Sequence, residues 1–258
     1  MIQTLKQLYQ FRALLWALVT RHLAIRYRGS ALGFLWSLLN PLCLMLVYAL
    51  VFKYYVRFQV ENYSVFMFTG LLPWLWLSSA LSESTTAIVG SGHLITKSMF
   101  PAHILPVVPV VTNFINLLLS MPLLFLFMWI GGVPFHWTLL LLPVLMLFQF
   151  FTLQGLGVLL SSLNVYFRDI QHILGNALTF IFFLCPIIYT AQAVPERFRF
   201  SLDLNPFAQF TMGYHALILD GTLPPVGSII FMIVFMFIAL FSGYSVFNRY
   251  HESFAELL

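Results

Sequence analysis

Six apolar runs of membrane length constrain this chain more than any other feature. They fall roughly at 34–56, 65–89, 104–130, 139–163, 173–189 and 226–247. A bilayer-crossing helix needs about 17–25 mostly apolar residues. Lipid offers backbone groups no hydrogen bonds, so such runs fold as helices that satisfy themselves. Charged residues are only 8% of the chain and hydrophobic ones 61%, whereas an ordinary soluble domain carries about 25% charge. A surface in water cannot be covered by so few polar groups. The expected fold is an all-α membrane protein with six transmembrane helices. It reads as one domain over 1–258, with 1–30 as an N-terminal helix and 34–247 as the six-span core.

Charge placement gives the direction. Leu5, Leu8, Phe11, Leu14, Leu15 and Leu18 recur at helical spacing between Ile2 and Leu23, with Lys6, Arg12 and Arg21 off that stripe. This is an amphipathic helix whose cationic face suits a membrane surface. No small-residue cleavage site follows it, so it is not read as a removable signal. With six spans and an inner N-terminus, inner segments hold Lys6, Arg12, Arg21, Arg26, Arg28, Lys97, Arg168 and Arg249. Outer loops hold Lys53, Arg57, Arg197 and Arg199. Eight against four favours both termini in the cytoplasm. The formal charge of +4 is thereby spent on topology. No basic stripe interleaved with exposed aromatics suggests nucleic acid.

The segment Arg26-Tyr27-Arg28-Gly29-Ser30-Ala31-Leu32-Gly33-Phe34-Leu35-Trp36-Ser37-Leu38-Leu39-Asn40-Pro41 opens the first span. Two fixed cations stand against a small-residue turn, and Trp36 follows at headgroup depth. Arg26, Tyr27, Arg28 and Trp36 are therefore expected to pin the inner mouth.

Two connections carry information. The inner loop from Gly90 to Pro101 has room for one short helix. Leu94, Ile95, Met99 and Phe100 give it more apolar surface than a linker needs, which suggests a docking surface carried with Ser91, His93 and Lys97. The outer connection, 191–225, contains apolar pieces too short to span, such as Phe207-Ala208-Gln209-Phe210. Short re-entrant helices between spans 5 and 6 are expected there.

Glu83 lies toward the inner end of span 2. A carboxylate there marks a pathway or relay, or is satisfied by hydroxyls or a loop cation. Arg168 and Asp169 close span 4, as a local cap or as a partner contact. Tyr48, Tyr55, Phe182, Phe183 and Tyr189 pack between helices or present ring faces to a sugar. Gly155-Leu156-Gly157 reads as close helix packing. Cys43 and Cys185 read as small buried hydrophobes. The seven histidines form no metal-ligand motif, and no paired acids or Ser-His-Asp set suggests an enzyme. There is no phosphate loop of the G-x-x-x-x-G-K-[ST] type, so any ATP would bind another polypeptide.

Nearly end to end, the chain resembles the membrane subunits of ABC-2 type exporters of lipid-linked polysaccharide (O-antigen, capsule or teichoic acid). The Arg26–Pro41 segment, the inner loop through Lys97 and Pro101, Phe167-Arg168-Asp169, and Pro186-Ile187-Ile188-Tyr189 with Asn205-Pro206 carry the likeness. It implies a homodimer around a channel, with two copies of a separate ATPase holding ATP and Mg on the inner face of a bacterial inner membrane. It further implies a coupling helix at Ser91–Met99, a gating N-terminal helix, and aromatics of spans 1 and 5 along the glycan path. A permease for a small lipophile or drug is the alternative.

Overall fold

The computed structural model describes residues 10–57, 60–92 and 101–257. Every regular element among them is helical. In chain order these are α1 (Arg12–Tyr27), α2 (Trp36–Ala49, prolonged by a wider π turn over Leu50–Tyr55) and α3 (Tyr63–Gly90). Then come α4 (Val107–Ile130), α5 (Leu142–Tyr166), α6 (Ile170–Leu184) and α7 (Phe200–Asp203). Last are α8 (Pro206–His215, followed by a π turn over Ala216–Asp220), α9 (Val226–Tyr250) and α10 (Phe254–Leu257).

α3 is the axis of the bundle. It is buried on nearly every side, against α2, α4, α5, α6 and α8. A helix that is apolar all round belongs inside, and α3 supplies Phe68, Leu71, Trp76, Leu77 and Leu81 to one continuous core. α2 and α9 leave broad apolar faces uncovered, among them Leu46, Val47, Phe237 and Phe241.

Five stretches are long and apolar enough to cross a membrane: Trp36–Tyr55, Tyr63–Gly90, Ala102–Ile130, Trp137–Tyr166 and Val226–Ser253. The run expected at 173–189 differs. α6 has 15 residues, about 22 Å at the usual helical rise, against roughly 30 Å of hydrocarbon. Pro186 is the reason. It has no N–H to give, and it forces Cys185 before it out of the helical region. Cys185 is extended at φ −94°, ψ 140°.

α6 nonetheless travels the length of the bundle. Gln149 on α5 donates to the Pro73 carbonyl on α3 at 3.1 Å, and further along Gly157 lies against Ser84. α3 and α5 are thus parallel, and α6 starts at the Gly90 end. At the far end the Tyr63 hydroxyl donates to the Ile188 carbonyl at 2.9 Å. α8 stays at that far end: Tyr214 donates to Gln149, and the Leu217 carbonyl accepts from Thr138. α9 then returns, with Tyr244 accepting from Gln154 at 2.7 Å.

The closest seam lies between α5 and α9. A Cβ on Gly155 would fall onto the Ala239–Leu240 backbone, and one on Gly243 onto the Gly155 carbonyl. Small residues let two backbones meet where lipid provides no hydrophobic drive, as expected of Gly155.

α1 extends beyond the expected Leu23, so Arg26 and Tyr27 belong to the helix; residues 1–9 of the expected stripe lie outside the described residues. Gly29, at φ +76°, then turns the chain, a conformation glycine reaches without Cβ strain. The apolar side of α1 (Phe11, Leu14, Leu15, Leu18) packs around Val19, Ile104 and Val108.

Candidate functional site

Polar side chains gather where α1, α2, α3 and α4 meet at the Gly90 end. α4 places Asn113, Asn116 and Ser120 on one face, as spacings of three and four residues require. α2 places Ser37 and Asn40 opposite. Ser120 donates to the Ser37 carbonyl at 3.3 Å, which ties the two helices together. Between α2, α3 and α4 lies a cleft of about 710 Å³, lined by these residues with Trp36, Ser79 and Arg26 and, on its apolar side, by Leu44, Val47, Leu72, Leu75 and Leu117. Cys43, expected to be buried, is exposed on this cleft because it shares a face of α2 with Asn40 and Val47.

Glu83 stands beside the cleft, satisfied by a cation from a distant part of the chain. The Arg26 guanidinium pairs with Glu83 Oε1 and donates to Asn113 Oδ1 at 3.0 Å. Asn113 Nδ2 donates to Glu83 Oε2 at 3.1 Å and to the Pro109 carbonyl at 3.0 Å. Each member of this triad bonds the other two. A carboxylate in apolar surroundings persists when it is paired and its remaining lone pairs are filled, and Glu83 is such a paired carboxylate. His22 completes the set. Its Nδ1 lies 3.3 Å from Thr112 Oγ1 and its Nε2 3.7 Å from Glu83. Thr112 gives its own proton to the Val108 carbonyl, so His22 Nδ1 donates to it. Desolvation holds the His22 pKa below its ordinary 6.5; the Glu83 carboxylate acts against this and the Arg26 cation with it.

Trp36, the other residue expected at the mouth, donates its indole N–H to Ser30 Oγ at 3.0 Å, closing the turn between α1 and α2. Arg28 is exposed just after α1. Tyr48, Phe182, Phe183 and Tyr189 come together with Trp74. Tyr48 and Trp74 flank Phe182 at 5.8 and 5.5 Å between ring centres, Phe183 adjoins it at 5.3 Å, and Tyr189 donates to the Phe183 carbonyl. Phe182 is buried packing, whereas Phe183 is exposed. Tyr55 is exposed at the far end of α2.

Asp169 precedes α6 but makes no side-chain capping bond; its backbone carbonyl accepts from His172 and Ile173. Both Arg168 and Asp169 are exposed. Of the inner-loop residues, Ser91 caps α3 through its N–H to the Ile88 carbonyl, and His93, Leu94, Ile95, Lys97 and Met99 lie outside the described residues. His22, Asn40, Thr112, Asn113, Asn116 and Ser120 were not singled out from the sequence. The regular 113–116–120 stripe in an apolar span was the signal available for three of them.

Amide and hydroxyl groups, an indole, and an ion pair of no net charge suit hydrogen bonding to a polar, uncharged surface. They supply no nucleophile aligned with a base. The ABC-2 type transporter family matches residues 13–219 of this chain. Over 258 residues, and 99% of each chain, it is 40% identical to the O-antigen export system permease protein RfbA of Myxococcus xanthus. A protein of the same name from Klebsiella pneumoniae is 31% identical over 250 residues, 95% of each chain. The polysialic acid transport protein KpsM of Escherichia coli is 25% identical over 247 residues, 92% of this chain and 93% of that one.

Proposed function

Because this chain belongs to the ABC-2 type transporter family, we propose that it is the permease subunit of an ATP-driven exporter of a lipid-linked polysaccharide, most simply an O-antigen. The observation that carries this is the cleft beside α2, where Arg26, Asn40, Ser79, Asn113, Asn116 and Ser120 stand among apolar residues within an otherwise apolar bundle. Polar groups at membrane depth cost free energy unless they are paired, and those that line a cavity commonly mark a substrate path. Full-length likeness to permeases named for O-antigen export supports the cargo. A small lipophile would gain little from Asn40, Ser79, Asn113 and Asn116.

In this reading α6 and the residues through Tyr189 make the sixth crossing, supported by the Tyr63–Ile188 bond at the far end. The Gly90 end faces the cytoplasm, as the Lys and Arg bias favours, and α1 lies along that face. α7 and α8 form the outer, re-entrant part. Two copies meet through the uncovered faces of α2 and α6, with Phe183 and Tyr55 turned toward the glycan. A separate ATPase binds ATP and Mg and pushes on the loop containing Leu94 and Ile95. ATP binding then shifts the population of channel states by its differential affinity for them. The membrane is the inner membrane of a bacterium.

The test is gene deletion followed by glycan analysis of separated inner membrane and cell surface. Lipid-linked polymer trapped inside, with surface polymer lost, is expected. Unchanged surface glycan overturns polysaccharide export and brings the small-lipophile reading forward. Asp at Leu94 and Ile95 is expected to uncouple ATP hydrolysis from export without preventing insertion; normal surface glycan in that variant removes the coupling role.

A further inference from the structure

α1 is fastened to both helices that flank the inner loop. α3 carries Glu83 into the loop, two turns before Gly90, and α4 carries Val108, Thr112 and Asn113 away from it. The apolar half of the fastening is Val19, fully buried against Val108 and against Ile104, in the turn that joins the loop to α4. The polar half is the closed triad of Arg26, Glu83 and Asn113, with His22 on Thr112 beside it.

This placement makes the triad sensitive to shear. Glu83 and Asn113 sit on opposite arms of the hairpin whose tip is the loop, so displacing one arm against the other separates the two partners of Arg26. The ion pair is also easy to break. Both side chains keep a quarter to a third of their surface exposed, and pairs of that kind add little net stability. Arg26 also lines the cleft with Asn40 and Asn116, so its release changes the lining of that cleft.

We propose that Glu83 is a positioning residue: through Arg26 and Asn113 it holds α1 against α3 and α4 beside the cleft, and displacement of one of those arms against the other lets α1 go. This rests on the reading of the chain as a permease driven through the inner loop.

The test uses the full complex with its ATPase in lipid nanodiscs. Cys43→Ser and Cys185→Ala remove the native thiols, and Val19→Cys places one in the buried seat for a water-soluble maleimide. The parent is expected to label slowly. Glu83→Gln and Arg26→Glu are each expected to label about tenfold faster, a coupling of ordinary size for contacting residues. The exchanged pair Arg26→Glu/Glu83→Arg is expected to return most of the way to the parent rate. A non-hydrolysable ATP analogue is expected to speed labelling of the parent and to leave Glu83→Gln unchanged.

Equal labelling of parent and Glu83→Gln overturns the proposal, as does an exchanged pair that labels as fast as either single variant. A parent rate unmoved by nucleotide overturns the link to the loop. If Glu83→Gln does not assemble, Glu83→Asp keeps the charge and shortens the reach; an intermediate rate supports the latch, and the parent rate overturns it. Labelling requires no glycan. Failure of the polysaccharide reading therefore leaves this result standing, and failure of the latch leaves glycan export untouched.

Discussion

The seam between α5 and α9 and the attachment of α1 are built on opposite plans. The seam brings two backbones together at Gly155, Ala239 and Gly243, with Gln154 and Tyr244 bonded beside them. Nothing there can move by a side-chain rotation, so it is either intact or broken. α1 is held by the buried Val19, by the half-buried Leu14, Leu15 and Leu18 around it, and by a set of polar contacts beside the cleft. Arg26 and Glu83 keep part of their surface exposed, so water can replace their contact. A transport machine needs both a frame that resists load and a part that responds to it, and this chain places the responsive part next to the loop expected to receive the push.

The largest effect is expected at the seam. Gly155→Ala adds only a methyl group, yet that methyl meets main chain rather than a flexible side chain. Overpacking costs about 1–3 kcal/mol, and more where backbones have to part. The thermal midpoint of the purified protein in detergent is expected to fall sharply, and Gly155→Val is expected not to accumulate. An unchanged midpoint for Gly155→Ala breaks the contrast, because the seam then has slack. Val19→Asp comes next. An unpaired carboxylate in the seat is expected to undock α1, costing about 1–3 kcal/mol locally and abolishing surface glycan, with the midpoint of the bundle moving by only a few degrees. A midpoint that drops as far as that of Gly155→Ala makes α1 part of the frame. A smaller effect is expected from Tyr63→Phe, which removes the bond to the Ile188 carbonyl. Such bonds in membrane proteins average about 0.6 kcal/mol. The measurement is amide exchange at Tyr189 and Thr190, expected to quicken several-fold while exchange in α5 stays the same.

The frame was largely legible in the sequence and the responsive part was not. Apolar periodicity is a local signal, so five of the six runs emerged as membrane-length helices, and Gly155 announced its close packing through size alone. Where the reading of α6 ran too long, a local rule could have corrected it: Pro186 ends the helix at Leu184. The Arg26–Glu83 pair is different in kind. Its members are 57 positions apart, and nothing in either neighbourhood names the other. Glu83 read as a pathway or relay group, or as a carboxylate satisfied by hydroxyls or a loop cation; its partner is the arginine assigned to the first span's mouth. Only the packing of α1 on Ile104 and Val108 brings them together. Likewise Tyr48 and Phe182 read as aromatics that pack between helices or face a sugar; which neighbours Phe182 finds, Tyr48 on one side and Trp74 on the other, depends on how α2 crosses α3 and α6.

The smallest expected effect concerns acid, and it probes the responsive part alone. His22 has its pKa lowered by desolvation when α1 is docked, with Glu83 opposing and Arg26 reinforcing the shift. A histidine whose docked pKa lies below its free value favours docking while it is neutral. That contribution is complete above pH 6.5, the ordinary value, and is lost as pH falls below it, because undocked His22 takes a proton that the docked form resists. A nitroxide on Thr20→Cys, an exposed site on α1 free of pH-dependent reaction chemistry once attached, should gain mobility slightly between pH 7.5 and 5.5. His22→Gln should remove that change while leaving the midpoint of the bundle alone. Should the label instead become less mobile in acid, the pull of Glu83 on a protonated His22 outweighs desolvation, and the hold on α1 tightens rather than loosens as pH falls.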